Sequence, residues 1–175
     1  CTGLSGTYTI NPSGSGSTNY TTIAAAISAL QCGGVSGAVV FNIASGTYTG
    51  QYIIPSIAGA SSTNTITFQS AAASASAVTL QNNSTVSTAN YIFRLYAADY
   101  IKFSRLTFSA QNATYGQCIE ITANGSDYAT NNTVQFCTLN ANSTGSSCSG
   151  IYAVNSTQPN NLTVYGNTFL NGYYG

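Results

Sequence analysis

Charge is what this sequence has least of. Three Lys or Arg and three Asp or Glu make up 3% of its 175 residues, where an ordinary soluble domain carries roughly 25%. With a formal net charge of zero and no basic cluster, the chain lacks the electrostatic footprint of a nucleic-acid binder. Histidine is absent, which removes Ser-His-Asp and Cys-His catalysis and the commonest metal ligand. No apolar run approaches the roughly 20 residues that span a bilayer. The five cysteines, Cys1, Cys32, Cys118, Cys137 and Cys148, show no C-x-x-C spacing, so a zinc site would need thiolates from scattered places. Trp and Met are also missing, and with no initiator Met, Cys1 reads as a start set by cleavage.

What is present is neutral and polar. Thr, Ser, Asn and Gly account for 82 of 175 residues, so uncharged hydrogen-bonding groups must keep the surface in water. A 43% hydrophobic content with 13 Tyr and seven Phe argues against disorder and for one domain with a substantial core. In an oxidising compartment an odd cysteine count leaves at least one thiol unpaired within the chain, and Cys1 with Cys32 is the favoured bridge because it ties down a chain end. Cys1 also fits the lipidated first residue of a mature lipoprotein, but TGLSGTYTI enters strand-like sequence without the usual flexible tether.

Residues 1–19 read as a strand, LSGTYTI, followed by the turn cluster NPSGSGSTN. Residues 20–34 hold a helix. Ile23, Ala26, Ile27 and Leu30 fall at i, i+3, i+4 and i+7, Thr21 or Thr22 can cap the start, and Gly33-Gly34 ends it. A short amphipathic helix of this kind covers the open end of something. Residues 35–175 are strand and turn throughout, and they repeat. YIKFSRLTFSA, NNTVQFCTLNA and NLTVYGNTFLN overlay with Phe103 on Val134 and Val164, Thr107 on Thr138 and Thr168, and Phe108 on Leu139 and Phe169. A second series sets Ile119 of QCIEIT on Ile151 of SGIYAV. Two series sharing a step of about 30 residues describe an all-β solenoid whose coils stack apolar side chains on one another. Asn167, immediately before the shared Thr, stands where an amide can satisfy turn backbone groups.

The helix, GAVVFNIASGTYTGQYII, NTITFQS and the three overlaid segments together resemble the amino-terminal half of a secreted right-handed parallel β-helix of the pectin-lyase-like superfamily, over residues 20 to 172. The Ser/Thr/Asn-rich style resembles surface proteins of gliding Bacteroidetes exported by the type IX secretion system. That resemblance implies a capping helix, secretion or an outer-surface location, surface polysaccharide or the secretion machinery as partners, and further coils after residue 175.

Many members of that superfamily cleave acidic polysaccharides with calcium-holding carboxylates and a Lys or Arg base. Calcium takes six to eight oxygen ligands, and this chain offers only Asp99, Glu120 and Asp127, so no cofactor is expected here and calcium belongs to the enzymatic alternative. The one charge-rich segment, RLYAADYIKFSR, gathers Arg94, Asp99, Lys102 and Arg105. It reads either as an anion- or uronate-binding patch or, more plainly, as Asp99 paired with Lys102 or an Arg at a turn. Glu120, between Ile119 and Ile121, points outward from its strand. It makes with Asp127 the only carboxylate pair close in sequence for glycoside hydrolysis. Exposed Tyr beside Asn and Thr suits stacking on sugars, while half-buried strand filler is the blander role. Ice binding would need stacked Thr-x-Thr rows, and the unequal spacing of Thr7, Thr47 and Thr65 does not make one. Nine N-x-S/T sequons, starting at Asn19, Asn82, Asn83, Asn112, Asn124, Asn131, Asn142, Asn155 and Asn161, only mildly exceed chance. The expectation is therefore a non-enzymatic extracellular or cell-surface module with a structural, adhesive or glycan-contacting role. A lyase or hydrolase with its catalytic coils beyond residue 175 is the alternative, and an ice-binding solenoid a minor one.

Overall fold

A computed structural model describes residues 1–143, 145–153 and 161–173. The chain opens with β1 (Leu4–Ile10), β2 (Asn19–Tyr20) and the helix α1 (Ile23–Gly33), then settles into a repeat. The first full coil is β3 (Val35–Ile43), β4 (Gly46–Thr49) and β5 (Tyr52–Pro55); the second is β6 (Ile66–Ser70), β7 (Val78–Asn82) and β8 (Tyr91–Tyr96). The third is β9 (Ile101–Ser104), β10 (Thr107–Ala110) and β11 (Gly116–Thr122), the fourth β12 (Thr133–Gln135), β13 (Thr138–Asn140) and β14 (Cys148–Ala153), and β15 (Thr163–Tyr165) with β16 (Thr168–Leu170) begin a fifth. Each coil gives one strand to each of three parallel sheets. Sheet A runs β15-β12-β9-β6-β3-β1-β2, sheet B β16-β13-β10-β7-β4 and sheet C β14-β11-β8-β5. The result is a parallel β-solenoid of about five turns, as the 30-residue step requires.

Every overlay drawn from the sequence is a strand register. Phe103 pairs with Val134 and Val134 with Val164, Thr107 with Thr138 and Thr138 with Thr168, and Ile119 with Ile151. Parallel in-register stacking puts like beside like, so the core is built of ladders. Tyr8, Phe41, Phe68 and Phe103 follow one another up sheet A, with Phe41 and Phe68 stacked at 4.9 Å. Phe93 from sheet C and Phe108 from sheet B close on Phe103 at 4.9 and 5.4 Å. Edge-to-face and offset contacts of this kind add to the area term.

The helix forms where its pattern places it. Thr22 Oγ1 accepts from the Ala25 amide at 3.0 Å, and Gly34, at φ 64°, donates its amide to the Leu30 carbonyl, a left-handed ending that favours glycine. The buried residues are Ile23, Ala26, Ile27 and Leu30, the four spaced for one face. They join the core beside β1 and β5, where sheet C has no earlier strand, so α1 closes that end of the solenoid. Cys1 and Cys32 form the expected disulfide, with Cα atoms 5.7 Å apart, while Cys118, Cys137 and Cys148 are free and buried. Burial pushes the Cys118 thiol up to about 12 and that of Cys137 to about 11, far from a reactive thiolate. The bridge spans 31 residues, for which closure entropy gives about 3 to 4 kcal/mol. Replacing Cys1 and Cys32 together by serine should lower the unfolding free energy by that amount in urea titration; a change under about 0.5 kcal/mol would mean that the cap is held by α1 packing alone.

The turns carry the amide chemistry expected of them. Asn167 Oδ1 accepts from the Cys137 amide at 2.8 Å and its Nδ2 donates to the Val134 carbonyl at 2.7 Å. Amide nitrogens at five sequons, Asn19, Asn82, Asn131, Asn142 and Asn161, are engaged with protein oxygens or flank such contacts in neighbouring turns, so these asparagines have structural work. Asn155 lies outside the described residues. What local sequence did not show is the corners: YIKFSRLTFSA and its relatives are each two strands, broken at Arg105 (φ 54°), Phe136 (φ 53°) and Gly166 (φ 63°).

Candidate functional site

Strand alternation and coil geometry decide where the scarce charges go, and they divide the segment RLYAADYIKFSR. Arg94 faces outward from β8 on sheet C. Its Nε and Nη2 donate to Glu120 Oε2 on β11 at 2.9 and 2.8 Å, Nη2 also donates to the Thr88 carbonyl at 3.1 Å, and the guanidinium lies 4.0 Å above the Tyr91 ring. Asp99, in the turn after β8, accepts from the Thr130 amide and hydroxyl at 2.6 and 2.7 Å, one coil further on. The turn pairing of Asp99 with Lys102 or an Arg is therefore corrected: Thr130 satisfies the carboxylate, and among the described residues Arg94–Glu120 is the one ion pair. Lys102 and Arg105 have no acidic partner among the described residues.

Those two cations share the outer face of sheet A. Because Phe103 and Val134 point into the core, their strand neighbours point out, and with β15 in register they form two rows: Lys102, Thr133, Thr163 and Ser104, Gln135, Tyr165. Gln135 Nε2 and Arg105 Nη1 both donate to Ser104 Oγ, at 3.2 and 3.4 Å. At the corner beside these rows three consecutive coils use a left-handed residue, so Arg105 and Phe136 stand one above the other, the guanidinium 5.0 Å from the ring centroid. The Phe136 ring also meets Tyr165 edge-on at 5.2 Å. It packs over Gly166, where a Cβ would lie 2.7 Å from the ring; glycine thus answers both the backbone angle and the ring. Tyr165 remains 62% and Phe136 38% exposed.

The face therefore presents two cations, two aromatic rings in water, an amide and several hydroxyls. An Arg fork matches a carboxylate, and an exposed ring takes the apolar side of a sugar. Tyr165 is an exposed tyrosine of the kind expected to stack on sugars. Phe136 has no place in any expectation drawn from sequence, although it occupies the Arg105 and Gly166 position of the overlay, and that alignment was the available signal.

Glu120 does point outward, in register with Arg94 and Tyr152, yet loops over sheet C leave it only 7% exposed. Burial raises its pKa, opposed by its hydrogen bond to and the charge of Arg94. Asp127 stands exposed in the turn that Asn124 and Asp127 close, and among the described residues no three His, Cys, Asp or Glu side chains gather. A threonine row exists that includes Thr47 but neither Thr7 nor Thr65: Thr47, Thr79, Thr107, Thr138 and Thr168 align on sheet B. A 3₁₀ turn (Ala75–Ala77) lies against it, and the Thr107 hydroxyl donates to the Ala75 carbonyl at 2.9 Å, which denies the row a flat open surface. Several tyrosines serve as filler: Tyr48 is buried with its hydroxyl on the Ala44 carbonyl, and Tyr52 packs on Phe93 at 4.9 Å.

No family model, curated protein or solved structure matches this chain.

Proposed function

We propose that this chain is a non-enzymatic extracellular module that contacts an anionic polysaccharide through the outer face of sheet A across β9, β12 and β15. The observation that carries the reading is the pair of cations without an acidic partner among the described residues, Lys102 and Arg105, set beside the exposed Phe136–Tyr165 rings. In a chain with three cations, two on one such face are a concentrated share. The Cys1–Cys32 bridge supports an oxidising, extracellular setting. The scattered carboxylates support a binding rather than a cleaving role, since hydrolysis by paired acids needs two held about 5 to 10 Å apart while Asp99 is occupied by Thr130 and Asp127 sits in an exposed turn. Membership of the pectin-lyase-like group and export by a type IX system, as in the Bacteroidetes surface proteins the sequence resembles, belong to the same proposal.

The test is calorimetric titration with an oligogalacturonate and with a neutral oligosaccharide of equal length. The oligogalacturonate should bind, losing at least tenfold in affinity in the Lys102→Ser, Arg105→Ser double variant and about three- to tenfold in Tyr165→Ala. Equal affinity of wild type and double variant for the uronate chain would refute the assignment of the face.

A further inference from the structure

A second site stands on a different face, and it rests on different residues. Gln117, Glu120 and Tyr152, on the outer side of sheet C, form the floor of a cleft of about 210 Å³, walled by Ser87, Thr88 and Asn90 between β7 and β8 and by Ser146 and Ser147 before β14. We infer that this cleft is a binding site for a neutral, hydroxyl-bearing ring, a single hexose unit of an uncharged glycan.

The walls are fastened to the floor and to each other. The Asn90 carbonyl accepts from the Gln117 amide at 3.0 Å, Asn90 Nδ2 donates to the Ser147 carbonyl at 3.4 Å, and the Thr88 carbonyl holds Arg94. A cleft so braced is pre-formed, which lowers the ordering cost of binding. Its volume far exceeds the ~30 Å³ of one water.

Gln117 gives the cleft its chemistry. The residue is 7% exposed, lines the cleft, and among the described residues its side-chain oxygen accepts no hydrogen bond. Polar atoms so deeply buried are nearly always partnered, so this one is a request for a donor. A hydroxyl group, donor and acceptor together, answers either end of a Gln amide.

Charge sets the ligand class. Arg94 and Glu120 neutralise one another on the cleft floor, so neither an anion nor a cation finds an uncompensated countercharge. Burial already disfavours the ionised form of Glu120, and a second anion beside it would be opposed further. Tyr152, half-buried and in register with Glu120, offers the ring wall on which a sugar can lie. A neutral polyhydroxylated ring satisfies all of these conditions.

The experiment is saturation-transfer NMR on the whole chain with methyl glucoside, methyl galactoside and N-acetylglucosamine as separate probes. At least one probe should receive saturation from the wild type. That transfer should fall at least tenfold in Gln117→Leu, which removes the orphaned oxygen and is expected to fold at least as stably, and in Tyr152→Ala, while both variants bind oligogalacturonate as wild type does. Transfer retained by the Lys102→Ser, Arg105→Ser variant completes the expected pattern and separates this site from the sheet A face. No transfer to any probe, meaning that the cleft holds water alone, would overturn the inference. So would transfer unchanged in Gln117→Leu, or transfer abolished by the sheet A double variant.

Discussion

Phe68→Ala should lower the unfolding free energy by about 4 kcal/mol. Phe68 is fully buried and is an inner ring of the sheet A ladder, stacked on Phe41 at 4.9 Å and meeting Phe103 and Phe93 at 5.9 and 6.1 Å. Deleting it removes the transfer energy of the ring and leaves a cavity that three other rings, each fixed in its own coil, cannot collapse to fill. The position matters as much as the area. A solenoid coil is stabilised through its neighbours, so a cavity between the first and second coils weakens the coupling of the α1 cap to everything above it. Guanidinium unfolding followed by tyrosine fluorescence should show a lowered midpoint, and Phe68→Leu should recover more than half of the loss. A cost under about 1 kcal/mol for Phe68→Ala would mean that the ladder does not carry the fold.

Asn132→Ala should cost about 3 kcal/mol although it removes no apolar contact. Asn132 is 2% exposed, at the turn entering β12. Its Oδ1 accepts from the Ile101 amide at 2.8 Å and its Nδ2 donates to the Ala98 carbonyl at 2.7 Å, both in the preceding coil. Truncation leaves two backbone groups unpartnered, at roughly 1 to 3 kcal/mol each when buried. Asn167→Ala breaks the same kind of two-bond clamp at another corner but is only half-buried, so water can repair it and the loss should be about 1 kcal/mol. The two variants compared by thermal unfolding, with hydrogen exchange at the Ile101 amide, separate this cause from a general loss of turn structure. Equal losses at both positions would contradict it.

How much of this was legible in the sequence depends on what each feature is local to. The last three coils announced themselves because their spacing is even, so a register such as Phe103, Val134, Val164 is visible as a simple overlay. The first two coils obey the same register, Phe41 on Phe68 on Phe103, yet steps of 27 and 35 residues hide it, because the loops between strands differ in length and loop length is cheap to vary. The corners at Arg105 and Phe136 were opaque for another reason: non-glycine residues with positive φ carry no compositional mark. The charged segment misled through proximity. Arg94 and Lys102 are near in sequence, but an intervening corner sends them to different sheets, and the true partner of Arg94, Glu120, is one coil away. Glu120 was rightly pointed outward, and only the loops that cover sheet C made outward and exposed different things.

The scarcity of charge acquires a positive meaning in this structure. Outward side chains bond in pairs along the solenoid, Gln69 Nε2 to Asn42 Oδ1 at 2.9 Å and Gln135 Nε2 to Ser104 Oγ at 3.2 Å. In-register stacking would set like charges ~5 Å apart, whereas amides and hydroxyls ladder without repulsion. The exceptions, Lys102 and Arg105, are therefore the residues whose charge needs a use.

Mixing the protein with polygalacturonate at low salt, and following bound fraction and chain length in the same sample, tests that use most directly. Binding that weakens as salt screens the two cations, with the chain-length distribution unchanged, is the expected result. Absence of binding, or shortening of the polymer with release of unsaturated ends, would contradict a non-enzymatic anionic-glycan face on sheet A.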